Sequence, residues 1–158
     1  MDTSHTISTV SFHVEKFKNG IDPPWVVTPA IDGQPLTELI EAYEKARQYE
    51  PAGSYGGLIP QYFKYGPLDR YFMGEVQAKD RWANGIWLLG CDCGEVGCWP
   101  LECRVRRDGE MITWEAFSQP YRQDRDYSEF GPFVFHVDQY RNTVNDLVTR
   151  LDSLLPTT

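Results

Sequence analysis

Cys91, Cys93 and Cys98 stand in one glycine-bracketed segment, Cys91-Asp92-Cys93-Gly94-Glu95-Val96-Gly97-Cys98-Trp99. Thiols at this spacing have four chemistries open to them. They can stay reduced as packed or hydrogen-bonded groups, hold a structural metal, close a Cys93–Cys98 disulfide, or present a reactive thiolate. Zinc is the metal that fits the donors, and it takes four ligands in a tetrahedron. In an extended strand the side chains of Cys91 and Cys93 would stand about 6.6 Å apart, so both could bind only where the strand bends. Gly90 and Gly94 permit such a bend. His136 is the expected fourth ligand, with His13 and Glu95 as alternatives. Asp92 and Glu95 oppose a thiolate, and no Lys, Arg or His lies between Gly85 and Cys103 to offset them.

A second group follows in Trp114-Glu115-Ala116-Phe117-Ser118-Gln119-Pro120-Tyr121-Arg122. Aromatic walls with a few convergent polar groups describe small-molecule sites in general. Gln119 and Arg122, with Trp114 and Trp99, would read a carboxylate or an amide. Equally, Arg122 could pair with Asp124 or Asp126 as a surface bridge. Trp99, Gln119, Arg122 and Tyr127 are therefore the expected ligand or partner surface. No Ser-His-Asp set and no HExxH motif accompanies them, and three histidines leave few general bases near neutral pH. The glycine-rich Ala52-Gly53-Ser54-Tyr55-Gly56-Gly57 lacks the GxxxxGK[ST] and GxGxxG patterns, so it predicts no phosphate cradle.

These groups need a frame to position them. At 158 residues the expectation is a single globular domain spanning 1–158. The Asp108-Gly109 pair predicts a hairpin in which 107 faces 110, Val105 faces Ile112 and Cys103 faces Trp114. The Gly94–Gly97 loop sets Leu88 opposite Cys103 and Ile86 opposite Val105. Together they predict a three-stranded meander over Ile86 to Phe117 with Cys103 in its core. Pro100 cannot donate to a ladder, so a bulge is expected beside it. Val10, Phe12 and Val14 alternate as a strand, and Trp25 to Ile31 reads as another. Leu36, Leu39, Ile40 and Tyr43 form one helical face ending at Glu50-Pro51. Leu68 to Met73 reads as a short helix closed by Gly74. Tyr140, Val144, Leu147, Val148, Leu151, Leu154 and Leu155 form the stripe of a terminal helix with Asp138 at its N-cap. The fold class is thus α+β, an antiparallel sheet whose apolar face is covered by the Leu36 and Tyr140 helices.

The net charge of −8 argues against a nucleic-acid surface, since only Arg104, Arg106 and Arg107 approach a basic cluster. An acidic balance serves solubility or a basic partner. Aromatic residues make up 14% of the chain, more than one core of this size needs, which suggests a lined groove or an interface. The polar start of the chain and the lack of an apolar run of about 20 residues predict an unexported, cytoplasmic protein with no membrane partner.

The runs LLGCDCGEVGCWPL, WEAFSQPYR and YSEFGPFVFHVDQY resemble a family of uncharacterised bacterial proteins marked by CxCGxxGCWPL, WxxFxQPxR and GPFxFxxxQY segments. The likeness covers Leu88 to Tyr140. It implies that the cysteine hairpin is a feature of the fold and implies no reaction. The expected function is a non-enzymatic interaction or accessory protein with a structural cysteine cluster. Two alternatives stand beside it: a small zinc-stabilised adaptor, and a thiol-based enzyme or redox sensor.

Overall fold

A computed structural model of the chain describes residues 7–16, 23–50, 52–60, 68–75, 85–91, 100–119 and 124–154. In chain order the elements are β1 (Ile7–Ser8), β2 (Val10–Lys16), β3 (Trp25–Ile31), β4 (Gln34–Pro35), α1 (Leu36–Ala46), β5 (Tyr55–Gly56), α2 (Leu68–Phe72), β6 (Gly85–Cys91), β7 (Leu101–Asp108), β8 (Met111–Ser118), β9 (Phe133–His136) and α3 (Val137–Leu154). The fold is α+β and mostly sheet. Six strands run in the order β1-β9-β8-β7-β6-β5, and a smaller sheet runs β2-β3-β4. All pairings are antiparallel except β1 with β9.

The expected meander is present as β6-β7-β8, but it is one part of the larger sheet. Its registers differ from expectation by two residues. Asp108 faces Met111 and Val105 faces Trp114, so the turn is Gly109-Glu110. Gly109 has φ of +61°, which suits the first central position of a type II′ turn better than the second position of a type I′ turn. On the other side Ile86, in place of Leu88, faces Cys103. A shift of two preserves faces, because side chains alternate with period two. Ile86, Cys103, Val105, Ile112 and Trp114 still share one buried face.

Two bulges interrupt this sheet. Trp87 faces Glu102 while Leu89 faces Leu101, so Leu88 is the extra residue, one strand across from the Pro100 end. In β8, Arg104 faces Glu115 while Glu102 faces Ser118. The surplus falls at Ala116, which has φ of +55°, a left-handed conformation that a side chain disfavours. Past it, Phe117 and Gln119 turn to the face that carries Cys103.

Helix α3 lies across β2, β8 and β9. Its buried stripe is Val137, Tyr140, Val144, Leu147 and Leu151. Trp114 Nε1 donates to Tyr140 Oη at 2.9 Å, and Tyr140 donates to the carbonyl of Phe72 in α2 at 2.5 Å. Asp138 is not the N-cap. Its N–H donates to His136 Nδ1 at 3.2 Å, because β9 runs into the helix with no intervening residue. Helix α1 also departs from expectation, packing chiefly on β3 and β4 of the small sheet. The reason is its entry: Pro35, which pairs with Ala30, is the residue before Leu36. One apolar cluster runs from Val10 through both sheets to Leu151.

Candidate functional site

The buried face of α1 carries Leu36, Ile40 and Glu44, each four residues from the last and each fully buried. The third is a carboxylate on an apolar stripe. Removing it from water costs several kcal/mol unless donors replace the lost hydration. Five groups do so. Gly53 donates its N–H to Oε1 at 2.8 Å. Tyr55 and Tyr127 each donate a phenolic O–H to Oε2 at 2.6 Å. Arg125 Nη1 approaches Oε2 at 3.3 Å and Gln119 Nε2 at 3.4 Å. Gln119 also donates to Tyr55 Oη, which is free to accept because its own proton goes to Glu44.

Local structure explains each arrival. Gly53 adopts φ of +77°, which aims its N–H at the helix. Tyr55 is held by the ladder between β5 and β6, where it faces Cys91. Gln119 reaches inward because the Ala116 bulge has reset the phase of β8. Tyr127 is buried and stacks on Tyr43 at 5.7 Å, while Phe130 meets Tyr43 edge-on at 5.4 Å. The guanidinium of Arg125 lies over the Tyr49 ring at 5.1 Å.

Burial and the neighbouring Glu44 push both phenols up, Tyr127 to about 12 and Tyr55 further. Both are neutral donors at physiological pH. Burial works against the charge of Arg125, but Tyr127, Glu44 and Tyr55 outweigh it and hold the guanidinium above its usual value. Four of these donors crowd Oε2 and one meets Oε1 of a fully buried carboxylate, whereas a general base must reach the proton it takes. Its competence is to fix α1, the Gly53–Tyr55 segment, the end of β8 and the 124–127 loop to one point.

Of the residues expected to form a partner surface, the structure brings Gln119 and Tyr127 together. It buries both, each at 2% exposure, so they are anchors beneath a surface and not the surface itself. Trp114 is elsewhere, enclosed with Tyr140 and Phe135. Trp99, Arg122, Cys93 and Cys98 lie outside the described residues, as does the side chain of Cys91. Asp126, one of the two expected partners of Arg122, accepts from Ser128 N–H at 2.8 Å and lies 4.0 Å from Arg47.

His136 is engaged at both ring nitrogens. Nδ1 accepts from Asp138, which leaves Nε2 to donate to Glu110 at 3.2 Å. His13 sits on the outer face of the small sheet, 3.3 Å from Glu15, in an open polar cleft of about 610 Å³. Among the described residues no three metal-ligating side chains converge. Cys103 is fully buried on the inner face of the sheet.

Sequence reasoning missed Glu44, Tyr55 and Arg125. Glu44 left a legible signal, since it falls four residues after Ile40 on the apolar stripe. No helix among the described residues is long and apolar enough to cross a membrane. Comparison with protein-family models, curated proteins and solved structures finds no match to the chain.

Proposed function

We propose that this chain is a non-enzymatic interaction or accessory protein whose partner surface is borne by the segments that leave the Glu44 anchor. The observation that carries this reading is the engagement of Glu44, on α1, by five donors from three other stretches of chain. A group spent on holding loops is unavailable for turnover. It stands where the cysteine segment departs after Cys91, opposite Tyr55, and where the Gln119–Arg122 segment departs from β8. Trp99 and Arg122 supply the contact chemistry in this reading, and the net charge of −8 favours a basic protein over a nucleic acid.

The test is affinity capture from native cell extract with wild-type protein and with a Trp99→Ala/Arg122→Ala double variant. A basic protein retained by the first and lost by the second is the expected result. An unchanged set of retained proteins would overturn the reading. The zinc-stabilised adaptor and the thiol enzyme both turn on Cys91, Cys93 and Cys98. Metal analysis of reduced, untagged protein separates the adaptor from the rest. Rapid alkylation of those thiols at pH 7 would bring the enzyme forward.

A further inference from the structure

The geometry points to the Glu44 pocket as a guanidinium-binding site, in which Arg125 holds the place of an arginine side chain from a basic protein partner. Arg125 enters from the surface. Its neighbours Asp124 and Asp126 are exposed, yet its own side chain is only 7% exposed and ends at a carboxylate of zero exposure. The pocket has the parts that recognise a guanidinium and little that suits anything else. An acid lies at the base, Tyr49 presents a ring face, and Tyr55 and Tyr127 set the carboxylate with short hydrogen bonds.

One observation points past a closed structural bridge: Gln119, at 2% exposure, keeps Oε1 buried with no hydrogen-bond partner. Its orientation is fixed, because Nε2 must face Tyr55 and Glu44, so the unpaired atom is an acceptor. Buried acceptors without a donor are rare in native proteins and need an explanation. A guanidinium carries five N–H donors in a rigid fork and is the side-chain group best able to serve Glu44 and Gln119 together. Arg125 reaches the buried Glu44 from a position flanked by exposed residues, so an entering side chain would take the course that the Arg125 stem now occupies.

The choice of a protein arginine rests on the reading of this chain as an interaction protein, whereas the pocket chemistry can be tested without any partner. Arg125→Ala is compared with wild type by thermal melting and calorimetry, using ethylguanidinium and N-acetyl-argininamide as probes and ethylammonium as the control cation. The variant should melt lower than wild type and be restored by either guanidinium probe in a saturable manner. It should bind them at least about tenfold more tightly than wild type does. Adding Glu44→Gln should abolish the rescue, and ethylammonium should give none. A folded Arg125→Ala that binds neither probe, or binds ethylammonium equally well, would overturn the inference. If Arg125→Ala does not fold, Arg125→Gln is measured in the same way; failure of both to fold even with probe present counts against it too. Loss of probe binding would leave the interaction reading standing, and a failed partner capture would leave a positive probe result standing.

Discussion

Gln139 is joined to Val10 by the pair of hydrogen bonds that a neighbouring strand would make. The Val10 N–H donates to Oε1 at 3.1 Å, and Nε2 donates to the Val10 carbonyl at 2.8 Å. Further along β2, Arg150 Nη1 donates to the carbonyl of Phe12 at 3.3 Å. Tyr71 does the same service for β6, donating to the Trp87 carbonyl at 2.7 Å and accepting its N–H at 2.5 Å. Unpaired strand edges template association with other chains, and here helix side chains close them.

Gln139→Ala should therefore do two things. It should cost about 1–3 kcal/mol, because two backbone groups of a part-buried strand lose their partner. It should also raise the tendency to associate at high concentration. Chemical denaturation and light scattering measure the two effects, and a change in stability without any change in scattering would show that the edge is guarded by other means.

Glu44→Ala should be the most destabilising change among the polar residues, by about 3–5 kcal/mol, because it strands a buried guanidinium and two phenols. Glu44→Gln should cost less, since an amide oxygen can still accept from Gly53 or a phenol. Urea midpoints for the two variants should fall in that order.

The buried phenols also set an upper pH limit. Tyr127 titrates at about 12 in the folded chain against an ordinary value of 10, and Tyr55 and Tyr140 are displaced in the same direction. The folded form thus holds these protons more tightly than the unfolded form. Their contribution to stability is complete below pH 10 and declines as pH rises through 12. Alkaline unfolding in that window, accompanied by late tyrosinate absorbance, is the expected result. Tyrosinate absorbance that is complete while the fold persists would contradict it.

Cys103 should be silent. Burial pushes its thiol well above the ordinary range, with Glu102 and Glu115 acting in the same direction, so it stays protonated at neutral pH. Alkylation of the folded protein at pH 7 should leave it unlabelled while denaturation exposes it. Cys103→Ala should cost about 1 kcal/mol, a small truncation by the standard of core substitutions. Loss of a bound metal in that variant would place Cys103 with the other cysteines after all.

Much of the scaffold was legible because alternation and helical stripes survive errors in register. A hairpin displaced by two residues keeps every side chain on its face, so Cys103 could be placed in the core from a turn set at the wrong pair. The site was less legible. Gln119 and Tyr127 were recognisable as residues of interest, but nothing local marks them as buried. Burial there depends on Glu44, 75 residues before Gln119, and on a bulge at an alanine, where no glycine advertised a left-handed turn. Helix α1 lay on the wrong sheet for a related reason: amphipathicity states that a face is covered and not by what.

The surplus residue at Ala116 means that β8 is read in two frames. Before it, even-numbered residues such as Ile112 and Trp114 point inward; after it, the odd-numbered Phe117 and Gln119 do. A chain that lost one residue between Glu115 and Ser118 would keep its composition and nearly all of its sequence. It would nevertheless turn Gln119 away from Glu44 and send Phe117 out of its ring contacts with Phe130 and Phe133. Length, more than residue identity, is what this short stretch must keep, whereas the Gly109 tip of the same hairpin is held to glycine by its φ of +61° even though an added Cβ would meet nothing within 4 Å.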